Sequence, residues 1–570
     1  MKKKILITSF RKLNFKKNSN LVFENEYLKK LFSEKKLKDF NSTSIESLDE
    51  FYNRKINITF CKKKVRRYIK EIFPILNKLN NINLKKKEWE ILIEYFLLIS
   101  VIYLKRRYDT LKKIKDKKNT LIEGNNYNFF FENFSIYNLI QLESLKFNTY
   151  TNFLIAKNLK LKILTKKKTK NDFLFENENQ KSFFLKIYYF FIDKFYPFFK
   201  PVIIIDGYFG KKNALYTILK SKFKILFTKI DYLNFSKNNI NKKKNNKLRS
   251  KVKIKIFDNF DKIYNEFLKN VLPSSYLENF KIYYKANDNK FNYFSKIGTS
   301  IHIAMNDNFK FGIIKLRKQN KKIFNIQHGG LLGNRIFAPE DYVNNKFSDL
   351  NLYWHDNKRK IGSPYFLDFK FKSFESTNKI LLYPSRNHFL QQIENLTNNN
   401  HPFLNQNYKL IHQLIDAGSF NLNIKFFNHK NDDFIKKVWT KKFGDKVNIL
   451  DRTNSYKGNI FKNFDLVIIN DFSTAFYELM YYKKPFILLN SAPSINLKNF
   501  FLNKMEELKK LNLWFDDENK LSKFLIENSK SFILNWPKTL ESKSYKKISK
   551  VLFATEKFNA NLFVKEILKF

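Results

Sequence analysis

Apolar and polar positions divide the 570-residue chain into short apolar runs and longer stretches with a period of three to four. Residues 4–9 have the profile of a first strand. Residues 11–70 are polar, rich in Lys and Asn, and set no period. From residue 65 to about 118, apolar positions recur every third or fourth residue with charges between them, which predicts helices. Residues 137–158 predict another. The polar runs 166–170 and 238–247 read as solvated loops. Strand-like runs then alternate with helical stretches: 202–205, 224–227, 252–257, 300–305, 323–326 and 350–354. The charged, turn-rich stretch 368–378 reads as an interdomain boundary. A second series follows at 379–383, 423–427, 447–450, 466–470 and 486–489, with helices predicted over 402–417, 432–442 and 472–482. Residues 496–570 are mostly helical in pattern. Alternation of this kind predicts an α/β chain with mainly parallel sheets, organised as two tandem Rossmann-like domains. A helical elaboration is expected at about 65–160, with a helical tail at the end.

Composition changes this picture in three ways. At 43% hydrophobic and 17% aromatic residues, the chain can bury more than one core. The formal charge of +56 suggests nucleic acid, but only 12 of the 108 basic residues are Arg. Phosphate readers favour Arg for its bidentate fork. A basic surface near anionic lipid headgroups stays compatible with this charge, and no specific nucleic acid is expected. The single cysteine, Cys61, excludes a disulfide framework and reads as a small buried hydrophobe in a reducing cytoplasm. The longest apolar runs, 95–104 and 183–199, fall short of the roughly 20 residues that a spanning helix needs.

Candidate chemistry gathers at two strand ends. The run 323–326 passes straight into Gln327-His328-Gly329-Gly330. Such an ending sets an imidazole and backbone N–H groups at the carboxyl edge of a sheet, where open α/β sheets bind ligands. Gly329 and Gly330 are expected to supply a turn with positive φ and a close backbone approach. All seven histidines (302, 328, 355, 388, 401, 412 and 429) fall within 302–429, and His401 and His412 read as surface or capping residues. His328 has few structural reasons to precede two glycines. It is read as a base for an acceptor hydroxyl or a donor to a phosphate.

The second end is Asn470-Asp471-Phe472-Ser473-Thr474, followed at one helical turn by Glu478. Ser473 or Thr474 can cap the helix, whose N-terminus suits a pyrophosphate. Glu478 shares a face with Thr474 and suits ribose hydroxyls, although taken alone the segment is also a plain N-cap with a surface Glu. Arg386, past the strand 379–383, reaches a diphosphate or lies on the surface. Lys425 and His429 follow another strand with the same two readings. Asp206 is placed like a catalytic or acceptor-binding acid, and an Asp-Gly turn explains it as simply. Glu340 and Asp341 either orient His328 and contact an acceptor or are solvated loop residues.

The chain has no phosphate-binding Gly-x-x-x-x-Gly-Lys-Ser/Thr, no Gly-x-Gly-x-x-Gly, no His-Glu-x-x-His, no Gly-x-Ser-x-Gly and no Asp-x-Asp. Two Rossmann-like units without Asp-x-Asp point to a metal-independent transferase of nucleotide-activated sugars. The stretches 79–111, IQHGGLLG (326–333) with FSDLNLYW (347–354), and FDLVIINDFSTAFYELMYYKKPFILL (464–489) carry a family resemblance. They resemble transferases of surface-polysaccharide and O-antigen gene clusters, and residues 496–557 look similar too. Related His-Gly and Ser-Thr…Glu…Lys-Pro arrangements occur in CDP-glycerol glycerophosphotransferases and Kdo transferases.

The resemblance implies a GT-B-like architecture. Residues 1–370 would form the acceptor-side domain, 371–545 the donor-binding domain and 546–570 a closing helix. By the resemblance His328 would be a catalytic or acceptor-side residue, and Ser473, Thr474 and Glu478 would hold the donor nucleotide. From their places in the sequence, Gln327, Gly329, Gly330, Glu340, Asp341 and Asp206 are set on the acceptor side, and Asp471, Arg386, Lys425 and His429 with the donor. The expected activity is transfer of a sugar from a nucleotide sugar to a glycan or lipid-linked glycan acceptor. No cofactor or metal is expected, and the site of action is cytoplasmic, with peripheral contact to the anionic inner face of the membrane. The alternatives are transfer of a phospho-alcohol from a CDP-activated donor and a non-enzymatic basic module for nucleic acid or glycan.

Overall fold

A computed structural model describes residues 4–7, 20–23, 46–47, 57–112, 114, 120–134, 145–165, 200–230, 240–285 and 293–570, apart from 242, 331, 334, 355–360, 367–378, 385–401, 427–431, 451–457, 491–497 and 553–556. The chain gathers into two units. Unit 1 is Met1–Gly207, Lys224–Asn325 and Pro339–Asn351, and unit 2 is Tyr208–Phe223, Ile326–Ala338 and Leu352–Phe570. The runs 166–170, 183–199 and 368–378 lie wholly outside the described residues.

The first sheet holds β1 (Lys4–Ile7), β2 (Asn20–Phe23), β3 (Glu46–Ser47), β4 (Thr120–Glu123) and β5 (Lys162–Leu164) in the order β3-β2-β1-β4-β5, with every pairing parallel. Between β3 and β4 run α1 (Ile58–Asn80) and α2 (Lys86–Lys112), and α3 (Leu145–Asn158) precedes β5. The helical elaboration is therefore present, and a third parallel sheet accompanies it. β2 to β5 are two to four residues long and sit in Lys- and Asn-rich sequence, so they leave no alternation to read. α1 starts where the Asn57 side chain accepts from the Phe60 N–H, and it ends at Asn81 in the left-handed region. α2 is buried continuously from Ile91 to Leu104, so the apolar run 95–104 is core.

The second sheet follows. In chain order come β6 (Val202–Ile205), α4 (Lys211–Lys220, which belongs to unit 2), β7 (Ile225–Thr228), α5 (Asn259–Val271), β8 (Lys296–Thr299), α6 (His302–Met305), α7 (Asp307–Lys318), β9 (Lys322–Ile326), α8 (Pro339–Phe347) and β10 (Leu350–Leu352). The strand order β10-β9-β8-β6-β7 is the doubly wound 2-1-3-4-5 pattern, whose switch point lies between β6 and β8. Residues 252–257 do not form the expected strand. The N–H groups of Ile254, Lys255 and Phe257 go to the side chains of Asn265, Glu71 and Asp261. Residues 300–305 are not a strand either, because β8 stops at Thr299 and His302 opens α6.

Buried ionic nodes fix the helices of unit 1, and those at Asp261 and Glu94 show how. Asp261 on α5 receives Lys64 Nζ at 2.6 Å and the Tyr68 hydroxyl at 2.6 Å, both from α1, together with Arg67. Burial pushes its carboxyl up, but the hydrogen bonds from Lys64, Tyr68 and Arg67 outweigh that and hold it at about 2. Glu94 on α2 accepts from Lys346 Nζ at 2.6 Å and from the Tyr342 hydroxyl at 3.1 Å, which anchors α8. Cys61 is buried, and burial pushes its thiol up to about 12.

Unit 2 is built on the third sheet. In chain order it holds β11 (Lys379–Tyr383), α9 (Pro402–Ala417), β12 (Asn421–Ile424), α10 (Asp432–Phe443), β13 (Asn448–Ile449), β14 (Leu466–Ile469), α11 (Thr474–Tyr481), β15 (Phe486–Leu489), α12 (Asn499–Lys510), β16 (Trp514–Phe515), α13 (Glu518–Leu534) and α14 (Ala560–Lys569). The order β13-β12-β11-β14-β15-β16, parallel throughout, is the Rossmann 3-2-1-4-5-6 pattern. β14 and β15 are buried along their whole length, as expected of central parallel strands.

Candidate functional site

The topological switch point of the third sheet lies between β11 and β14, and the sequence after β14 is built for it. Asn470 closes the strand and is held by three partners. Its amide nitrogen donates to the Leu489 carbonyl at 2.9 Å, Asn407 Nδ2 donates to its Oδ1 at 2.7 Å, and Asn490 Nδ2 donates to its carbonyl. Asp471 then accepts from the Ser473 N–H at 3.0 Å, a local turn bond that engages its carboxylate on the backbone. Ser473 occupies the N-cap position of α11 without a side-chain capping bond. The first N–H groups of any helix lack intrahelical partners, so a helix start of this kind offers donors and a positive dipole end.

The His-Gly-Gly loop meets that helix start within unit 2. Gly330 N donates to Thr474 Oγ1 at 3.3 Å. A Cβ on Gly330 would lie 2.6 Å from the Ser473 carbonyl oxygen and 2.5 Å from the Tyr477 ring, so close approach to α11 requires the glycine. At Gly329 a Cβ would meet nothing within 4 Å. Neither glycine has positive φ, contrary to expectation; among the described residues of the loop, Gly333 is left-handed, at φ 79. Gly330 serves packing against a helix, and Gly329 borders open space.

Gln327 is a strut. Its Nε2 donates to the Gly329 carbonyl at 2.7 Å, its Oε1 accepts from the Trp354 N–H at 2.7 Å, and its own N–H pairs with the Leu352 carbonyl. Buried and engaged on backbone at both ends of its amide, it positions the loop. Lys498, the residue before α12, donates to the Gly333 carbonyl at 2.6 Å and ties down the far side. The His328 ring is half-buried and packs on Tyr208, centroids 5.2 Å apart and tilted by 33°.

Glu478 lies one turn into α11 on the Thr474 face. It is 5% exposed, and burial alone pushes its carboxyl up to about 8. The helix surface therefore carries a buried, mostly protonated acid beside an anion-ready N-terminus. Lys425 follows β12 at the same sheet edge, buried, with its N–H on the Leu382 carbonyl. Arg386 and His429 lie outside the described residues.

The remaining acceptor-side candidates belong to unit 1. Asp206 ends β6 in the left-handed region, at φ 45, and its Oδ2 accepts from the Ile230 N–H at 2.8 Å. The same oxygen lies 2.8 Å from His302 Nε2. Sequence reasoning missed this pair, which sits at the β6/β8 switch point. The signal was available, since His302 stands just past a strand as His328 does, but residues 300–305 read as a strand. Glu340 and Asp341 are in the first turn of α8 and not in a loop. Both are buried, and acids there are favoured by the helix dipole. His412 is half-buried, its ring against those of Tyr408 and Phe443. Among the described residues, no three His, Cys, Asp or Glu side chains converge as a metal-holding group, and no helix is long and apolar enough to cross a membrane.

The profile of the LIC12162 family transferase matches residues 4–556. No curated protein matches the chain. Among solved structures, the chain is similar to S. aureus MnaA in complex with UDP, at 12% identity over 65% of this chain and 95% of that one, TM-score 0.35. It is similar to the UDP-GlcNAc 2-epimerase of Neisseria meningitidis bound to UDP-GlcNAc, at 10% over 65% and 100%, TM-score 0.32. Acinetobacter baumannii MurG is a third, at 9% over 65% and 100%, TM-score 0.30.

Proposed function

The chain belongs to the LIC12162 family of transferases, and we propose that it moves a sugar from a nucleotide-activated donor to a glycan acceptor. The observation that carries this reading is the hydrogen bond from Gly330 N to Thr474 Oγ1, which brings the His328 loop to a helix start at the switch point of a Rossmann-ordered sheet. In this reading the donor diphosphate lies against the first turn of α11 beside Ser473, with Lys425, Arg386 and His429 completing the donor set. Glu478 receives the ribose hydroxyls. His328 takes the proton of the acceptor hydroxyl as its oxygen bonds to the anomeric carbon. The bond from that carbon to the phosphate oxygen breaks, and the helix dipole steadies the departing nucleoside diphosphate without a metal. Asp206, Glu340 and Asp341 are assigned to the acceptor, with His302 added as the partner of Asp206. The GT-B-like reading and the surface-carbohydrate acceptor follow the sequence resemblance of 326–333 and 464–489. A cytoplasmic site of action is part of the same reading.

The test is a thermal-shift screen against CMP, CDP, UDP and GDP, followed by identification of the product of turnover. One nucleoside diphosphate is expected to raise Tm, since a ligand of the native state stabilises it. His328→Ala is expected to keep that shift and lose transfer. Release of CMP would replace this reading with phospho-alcohol transfer, and no response to any nucleotide would overturn both.

A further inference from the structure

The helix α4 turns two unlike faces to its surroundings. Inward, Thr217 is buried, Asn213 Nδ2 donates to the carbonyls of Pro364 at 2.9 Å and Phe366 at 3.3 Å, and the helix packs on α14. Just before it, the Phe209 ring meets Phe558 and Phe563 at 5.5 and 5.3 Å. Outward stand Leu215, Tyr216 and Leu219, with Phe223 just past the helix end, at 58%, 47%, 55% and 63% exposure. Leu215, Leu219 and Phe223 follow each other at four-residue spacing, which puts Leu215 and Leu219 on one helical face with Phe223 continuing the row. Phe223 has φ 62, a conformation unusual for a bulky side chain, yet its ring lies in solvent. Packing accounts for neither its exposure nor that of the leucines.

The apolar row is framed by one sign of charge. Lys211, Lys212, Lys220 and Lys222 are exposed around it, and Lys220 Nζ lies 5.3 Å from the Tyr216 ring centroid. From Gly207 through Lys229 the chain has six lysines and no acid. An apolar stripe of this kind with a lysine border is the pattern of a helix that lies in a lipid interface. We propose that this face of α4 docks the protein on an anionic bilayer, with Leu215, Leu219 and Phe223 entering the headgroup boundary and the lysines meeting lipid phosphates. A second copy of the chain is a poor occupant, because the face carries no acid to match its own lysines and the whole chain is +56. The inference is independent of the donor site.

The test is co-sedimentation of the full chain with vesicles of phosphatidylcholine, with and without phosphatidylglycerol. The variant Leu215→Ser/Leu219→Ser/Phe223→Ser leaves the charge unchanged, so bulk adsorption of a basic protein is not altered. At about 0.3 M salt, where long-range attraction is screened, wild type is expected to stay on the phosphatidylglycerol vesicles. The variant is expected to bind about tenfold less, with unchanged Tm and an unchanged nucleotide thermal shift. Lys211→Gln/Lys212→Gln/Lys220→Gln/Lys222→Gln is expected to lose binding already near 0.1 M. Equal retention of wild type and the serine variant, or no binding of wild type to anionic vesicles, would overturn the proposal. A dimer in light scattering that the serine substitutions dissolve would overturn it in favour of a second copy.

Discussion

Gly329 borders open space in a loop whose neighbours are tied down, and beside it the half-buried His328 ring packs on Tyr208. Gln327, Gly330 and Gly333 each bond to the surrounding backbone or side chains, while nothing stands within 4 Å of a Cβ at Gly329. His328→Ala is therefore expected to leave Tm nearly unchanged and to lower kcat by about two to four orders of magnitude, the usual span for loss of a general base. Coupled turnover and melting assays check both halves. Glu478 gives a pH signature. Its folded-state carboxyl is raised to about 8 from 4.5, so the folded protein holds a proton that the unfolded chain releases. The contribution of this group to stability is full below pH 4.5 and is lost as pH rises toward and through 8, at most about 5 kcal/mol in all. Glu478→Gln is expected to raise Tm more at pH 9 than at pH 6 and to weaken nucleotide binding. Equal Tm gains at the two pH values would mean that the acid is not held protonated.

At the scale of elements, the contact between loop and helix is a small, specific latch. Thr474→Val removes the acceptor for Gly330 N and is expected to cost about 1 kcal/mol. Gly330→Ala places a methyl against the Ser473 carbonyl and the Tyr477 ring, and is expected to lower Tm well beyond that. Denaturant melts of the two variants order the effects. Both halves of this latch were legible in the sequence, because a strand running into His-Gly-Gly and a strand running into a Ser-Thr cap are punctuation set by local chemistry. The long alternating series in 379–489 was legible for the same reason, and 402–417, 379–383 and 486–489 match their elements residue for residue. What failed is instructive. The strands β2 to β5 are too short to show a period, and KVKIKIF at 251–257 alternates like a strand while its N–H groups bond to Asn265, Glu71 and Asp261. The Asp206–His302 pair was missed because reading 300–305 as a strand hid the fact that His302 stands just past a strand end, as His328 does.

Across the whole molecule, the two units rest on different supports. Unit 1 is held by buried ionic nodes, and the one at Asp261 is pH-dependent. Its carboxyl is held at about 2, below the usual 3.8, so its stabilisation is present above pH 4 and is lost as pH falls toward 2. Asp261→Asn is expected to lower Tm at pH 7 and to make little difference near pH 2, as melts at the two pH values would read. Unit 2 carries the Rossmann-ordered sheet, the His-Gly-Gly loop and the helix start, so the proposed donor site draws on one unit.

The central claim is that the loop at His328–Gly330 and the first turn of α11 line one ligand site. Calorimetric titration of nucleoside diphosphates into Gly329→Ala tests it most directly, because a Cβ at this position meets nothing within 4 Å. The account predicts an unchanged Tm and a nucleotide affinity at least about tenfold weaker than wild type, a loss of 1.4 kcal/mol or so. Wild-type affinity in that variant would contradict it.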